Sequence, residues 1–151
     1  MERRGCLIKW LKLIKKIKGE IEMKVNVYGF ERTAVEFYSW GNNHTAIFEM
    51  TTYADNNNLA IQVLAYDEEF GCYMPYCVLT VNLINELKPN QAYIDTNNCP
   101  ATLIEQMEVE GYMKSTGRMR PSGYCIYPLY EFSEEFLTQL DKEMKGGLIN
   151  A

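Results

Sequence analysis

The residues able to do chemistry are few. The chain has five cysteines, Cys6, Cys72, Cys77, Cys99 and Cys125. Cys72 and Cys77 are separated by four residues, a spacing open to a zinc site, but no Cys-x-x-Cys occurs and there is one histidine. An odd cysteine count with no secretory signal reads as reduced thiols in the cytoplasm, packed as small hydrophobes. We therefore expect no metal and no cofactor. Any Ser-His-Asp or Cys-His mechanism has to use His44, which sits beside the Gly41-Asn42-Asn43 turn signal with no nucleophile signature near it. Asp67, Glu68 and Glu69 are paired carboxylates in principle suited to acid–base work, yet a run of charges before Phe70-Gly71 reads as a solvated hairpin turn. The expectation is a protein that is not an enzyme.

Residues suited to contact are more plentiful. Eleven tyrosines are present, and Tyr124, Tyr127 and Tyr130 fall close together. Such side chains offer an apolar body and a polar tip, the combination enriched at interfaces. Asp95, Asn97 and Asn98 form a second polar cluster, whose short side chains favour turns and helix caps and are also free to meet a partner. The candidate partner-binding residues are thus Asp67, Glu68, Glu69, Asp95, Asn97, Asn98, Tyr124 and Tyr127.

These groups have to be positioned by an α+β domain. From Lys24 to Leu83 apolar and polar residues alternate in runs separated by Gly41–Asn43, Ala54–Asn58 and Asp67–Gly71, which predicts an antiparallel meander whose last strand, Tyr73–Leu83, bends near Pro75. A parallel sheet needs crossover helices that this stretch lacks. A connection around Pro89 leads to the apolar run Ala92–Ile94. Pro100 suits the first position of a helix capped by Cys99 or Asn98, with Leu103, Ile104 and Met107 on its apolar face and Gly111 past its end. Lys114–Pro121 reads as a polar loop and the local basic patch; Tyr124–Phe132 reads as a strand. Ser133-Glu134-Glu135-Phe136 opens a second short helix, which Gly146-Gly147 should end.

Charge divides the chain. Residues 1–22 carry seven basic and three acidic side chains, a net of +4, whereas 23–151 carry eight and seventeen, a net of −9. The main domain is therefore a poor partner for duplex DNA and a better one for a basic protein surface. Residues 1–22 form an amphipathic helix on paper. Trp10, Leu11 and Ile14 lie on its apolar side, Lys12 and Lys16 opposite, a pattern suited to a membrane surface or a partner's groove. Lysines interrupt every apolar run well short of the roughly 20 residues that a span requires. Lys18-Gly19-Glu20 is also what a purine-rich ribosome-binding sequence encodes in frame, and Met23-Lys24-Val25 looks like a natural start. The expected organisation is an upstream extension at 1–22, one domain at 23–145 and a flexible tail at 146–151.

The two blocks Ile94-Asp95-Thr96-Asn97-Asn98-x-Pro100 and Ser122-Gly123-Tyr124-Cys125-x-Tyr127-Pro128-Leu129-Tyr130-x-Phe132 resemble the bacterial family called domain of unknown function 4313. Thr116-Gly117-Arg118 and Leu79–Leu83 fit as well, so the resemblance covers about Lys24 to Leu140. It implies a setting on conjugative elements, plasmids and phage-like islands of gut Firmicutes and their neighbours, and it assigns no catalytic residue. That setting, with the charge division, leads us to expect a binding protein that blocks a host defence complex, such as an anti-CRISPR inhibitor of a Cas9-type nuclease. Such nucleases hold nucleic acid in positively charged channels, which an acidic ligand can occupy. The alternative is an accessory protein of conjugation or plasmid maintenance, membrane-associated through residues 1–22.

Overall fold

The computed structural model describes residues 23–83 and 86–149 as an α+β protein with antiparallel sheets and two helices. The amphipathic helix expected over 1–22, with Trp10, Leu11, Lys12, Ile14 and Lys16, lies outside the described residues.

The first sheet is a meander as expected, in the order β1 (Lys24–Val27), β2 (Phe30–Ser39), β3 (Asn42–Thr52), β4 (Leu59–Asp67) and β5 (Cys72–Val78). It has one strand more than predicted: the run expected to continue from Lys24 to Trp40 folds back at Tyr28-Gly29, so that Val27 pairs with Phe30. Alternation sets one face: Val35 pairs with Ala46 across β2 and β3, and Phe48, Val63 and Cys77 align across β3, β4 and β5, flanked by Phe37 and Ile61. The meander does not extend to Leu83. The expected strand Tyr73–Leu83 is cut at Leu79, whose N–H still bonds the Ile61 carbonyl while its own carbonyl accepts from Asp95. Leu79 is thus the point where the chain leaves one sheet and enters a second. That second sheet has the order β6 (Thr80–Val81), β7 (Gln91–Ile94), β9 (Cys125–Phe132), β8 (Met113–Ser122).

Strand β8 corrects the reading of Lys114–Pro121 as a loop. Its polar side chains reflect an edge position: the strand is exposed from Lys114 onward apart from half-buried Thr116, and Lys114, Arg118, Arg120 and Pro121 all discourage pairing with another edge. A register shift between Ser115 and Met119 further breaks the alternation that identifies a strand.

Helix α1 (Ala101–Val109) lies between β7 and β8, and α2 (Glu134–Ile149) follows β9. Pro100 is the N-cap of α1, in extended backbone at ψ 136°, rather than its first helical residue as expected, and neither Cys99 nor Asn98 caps. At the other end the Gly111 N–H bonds the Glu108 carbonyl and the Tyr112 N–H bonds that of Met107, with Gly111 at φ 78°, as a Schellman stop requires. Ser133 caps α2 through its hydroxyl, which accepts from the Phe136 N–H at 3.1 Å. Gly146-Gly147 does not end α2, whose backbone stays helical to Ile149. Two glycines weaken a helix by about 1 kcal/mol each and do not break one that is already docked.

The helices pack against β2 and β3, and in a core that residues of the second sheet also join they bury Leu103, Met107, Phe136 and Leu140. Tyr112 stacks on Phe136 at 4.6 Å, and its hydroxyl reaches the Ala34 carbonyl at 2.9 Å, which satisfies the one polar atom that this ring brings inside. The Glu143 carboxylate, on the last turns of α2, accepts from the Thr33 N–H at 2.6 Å and the Thr33 hydroxyl at 2.8 Å, and lies 3.5 Å from Arg32 Nε. This buried anchor ties α2 to β2.

Candidate functional site

Three elements converge on a groove of about 570 Å³: the β2–β3 hairpin with Tyr38 and Trp40, Tyr76 on β5, and the Asn97–Thr102 segment that enters α1. The Asp95 carboxylate shapes that segment. It accepts from the backbone N–H groups of Asn97 at 3.2 Å and Asn98 at 3.1 Å, and from the Asn98 side chain at 2.8 Å. Thr102 donates its hydroxyl to the Tyr38 carbonyl at 2.6 Å, which joins the helix entry to the hairpin.

Trp40 stands at the hairpin apex, 92% exposed. Ser39 pairs with Asn42, so Trp40 and Gly41 form a two-residue turn, with φ at 53° and 78°. Both central residues of such a turn need positive φ, which suits Asn or Gly and costs a bulky residue about 1–2 kcal/mol. His44 supports this hairpin from within: its Nε2–H donates to the Ser39 carbonyl at 3.0 Å, and its ring stacks on Phe37 at 5.2 Å. The histidine is thereby engaged in holding the turn.

The candidate residues read from the sequence fall in three places. Asn97 and Asn98 line the groove and Asp95 builds its rim, while Tyr127 adjoins this cluster, near enough to Cys125, Asp95 and Asn97 for each to act on its hydroxyl. The Cys125 contact, burial and the Asp95 charge together push the Tyr127 hydroxyl above its usual range, against a smaller opposing effect of Asn97. Asp67, Glu68 and Glu69 close the β4–β5 hairpin, which the meander places at the same end of the sheet as Trp40. Asp67 holds that turn, accepting from the Phe70 N–H at 3.0 Å, and Glu68 and Glu69 are exposed. Tyr124 lies apart, fully exposed in the Gly123-Tyr124 turn of the β8–β9 hairpin. Sequence reasoning missed Tyr38, Trp40 and Tyr76. An aromatic residue directly before a turn glycine, Trp40-Gly41, was the available signal.

A second hollow of about 500 Å³ is bordered by Glu108, Lys114, Glu131 and Ser133. Three of its polar groups are used structurally: Glu108 accepts from the Tyr130 hydroxyl, Glu131 from the Asn90 side chain, and Ser133 caps α2. Burial and the Glu108 contact push the Tyr130 hydroxyl upward. Among the described residues no three of His, Cys, Asp or Glu are grouped to hold a metal ion. Cys77 meets Cys99 rather than Cys72.

The family model described as domain of unknown function 4313 matches residues 47–146. The chain belongs to this family. Both blocks that carried the resemblance, around Asp95–Pro100 and Ser122–Phe132, lie within the match, while β1 and β2 with Trp40 precede it. No curated protein and no solved structure matches the chain. Among the described residues no helix is long and apolar enough to cross a membrane.

Proposed function

We propose that this member of the family acts by binding rather than by catalysis, as a cytoplasmic mobile-element protein that occupies a basic surface on a host defence complex, for example a Cas9-type nuclease. The observation that carries the reading is Trp40, a bulky side chain kept almost wholly exposed in a backbone conformation that disfavours it. Strain of this kind, unexplained by packing, points to function. Trp40 and Tyr38 offer ring faces to lysine or arginine side chains, and Glu68 and Glu69 add negative charge at the same end of the sheet. Nucleic-acid channels of CRISPR effectors supply cations in the required density.

The test is capture of a guide-loaded CRISPR effector by the full chain, followed by target-DNA cleavage on the captured complex. The expected result is capture with loss of cleavage, and a drop in affinity of about tenfold or more for Trp40→Ala, the size of effect a central aromatic anchor has. Capture without inhibition, or inhibition indifferent to Trp40→Ala, would overturn the reading.

A further inference from the structure

A pair of thiols lies beside the groove. Cys77 lies on β5 facing the core, and Cys99 immediately precedes the N-cap of α1; their sulfurs are 3.2 Å apart, and both cysteines are free. That separation is inside van der Waals contact, and bond formation requires the sulfurs to close by only about 1 Å to reach the usual disulfide length. Cys99 is buried while Cys77 is half-buried, and Cys99 itself lines the groove. We propose that Cys77 and Cys99 form a redox-active dithiol that hydroperoxides convert to an intramolecular disulfide.

The pair is asymmetric in the way this chemistry needs. The Cys99 thiol donates to the Cys77 sulfur, with the Val78 carbonyl as a second acceptor at 3.4 Å. This donation favours the thiolate at Cys77, drawing its pKa down against burial and the Asp95 charge, and holds Cys99 in its protonated form. A thiolate is the nucleophile in such reactions, so Cys77 attacks first. Its sulfur bonds to the distal peroxide oxygen, the O–O bond breaks, and the departing oxygen takes a proton to leave as water or alcohol. Cys77 is then a sulfenic acid. The Cys99 sulfur, losing its proton, attacks the Cys77 sulfur; the S–S bond forms, the S–O bond breaks, and the hydroxide leaves as water. Two thiols are oxidised and one peroxide is reduced.

The product joins β5 to the entry of α1 across 22 residues of sequence. It fixes the Asn97–Ala101 wall of the groove against the first sheet. The oxidation requires no ligand in the groove. The test oxidises the reduced full chain with a slight excess of hydrogen peroxide and follows intact mass, thiol alkylation and non-reducing peptide maps. The chain should lose the mass of two hydrogens, two of its five thiols should stop reacting, and the map should link Cys77 to Cys99. Cys77→Ser and Cys99→Ser should each abolish the link, and Cys72→Ser should retain it. A link through Cys6, Cys72 or Cys125, alkylation of all five thiols after peroxide, or a Cys77 sulfinic acid beside a free Cys99 would each overturn the proposal.

Discussion

At the scale of single residues, Trp40 sets folding against function. Its ring is almost wholly in solvent, so removing it forfeits little burial, whereas an asparagine accepts positive φ readily. Trp40→Asn should therefore raise the unfolding free energy by about 1 kcal/mol, read as a higher urea midpoint at constant slope. A lower midpoint would show that the ring has a structural role. Tyr130 makes a prediction in pH. Its folded pKa is raised above the ordinary tyrosine value of 10.0 by burial and by Glu108, so the folded state holds this proton more tightly than the unfolded chain does. The associated stability is fully present below about pH 10 and declines as pH rises beyond it. Tyr130→Phe should flatten part of that alkaline decline in a series of urea titrations. Asp95, Asn97 and Asn98 were legible as a turn because their hydrogen bonds are local. The Cys77–Cys99 contact was not, since a separation of 22 residues carries no signal of which strand ends beside which helix.

At the scale of elements, the same division between local and distant causes holds. Ser133 and Gly111 were legible as helix signals because capping is a property of a few adjacent residues. The mistaken loop at Lys114–Pro121 arose because an edge strand keeps its polar residues outward and its backbone pairs on one side only, so the alternation that marks a strand is missing. The anchor of α2 was equally hidden. Glu143 looks in sequence like any exposed helix acid, yet its side chain is 3% accessible, beside an Arg32 side chain at 15%. Arg32 also donates to the Phe48 carbonyl at 2.7 Å, so the pair is embedded in backbone as well. Glu143→Ala leaves Thr33 without its acceptor and Arg32 without its counter-charge, and should cost about 3 kcal/mol in chemical denaturation. A double-mutant cycle with Arg32→Met should recover part of this loss. Gly111→Ala, which forces a Cβ into the left-handed stop of α1, should cost about 1 kcal/mol in the same measurement.

At the scale of the whole molecule, a chain with seventeen acids and eight bases beyond residue 22 approaches any basic surface in a favourable field. The sequence made this imbalance legible, and the topology adds direction to it: the β2–β3 and β4–β5 turns close at one end of the five-stranded sheet, which places Glu68 and Glu69 at the same end as Trp40. The basic side chains Lys114, Arg118 and Arg120 are gathered on the edge strand of the other sheet. Long-range attraction of this kind acts mainly on the rate of encounter and is screened within about 8 Å at physiological salt. Association with the guide-loaded effector should therefore slow by about tenfold between low and physiological ionic strength, with a smaller change in dissociation. Glu68→Lys with Glu69→Lys tests the direction, because these two side chains are exposed whereas Asp67 is needed to hold the turn. The double variant should reduce both the association rate and its salt dependence while leaving the urea midpoint unchanged. Association that is indifferent to salt, in a protein whose Trp40→Ala variant still binds weakly, would instead assign recognition to the aromatic groove alone and leave the acidic turn as solvated surface.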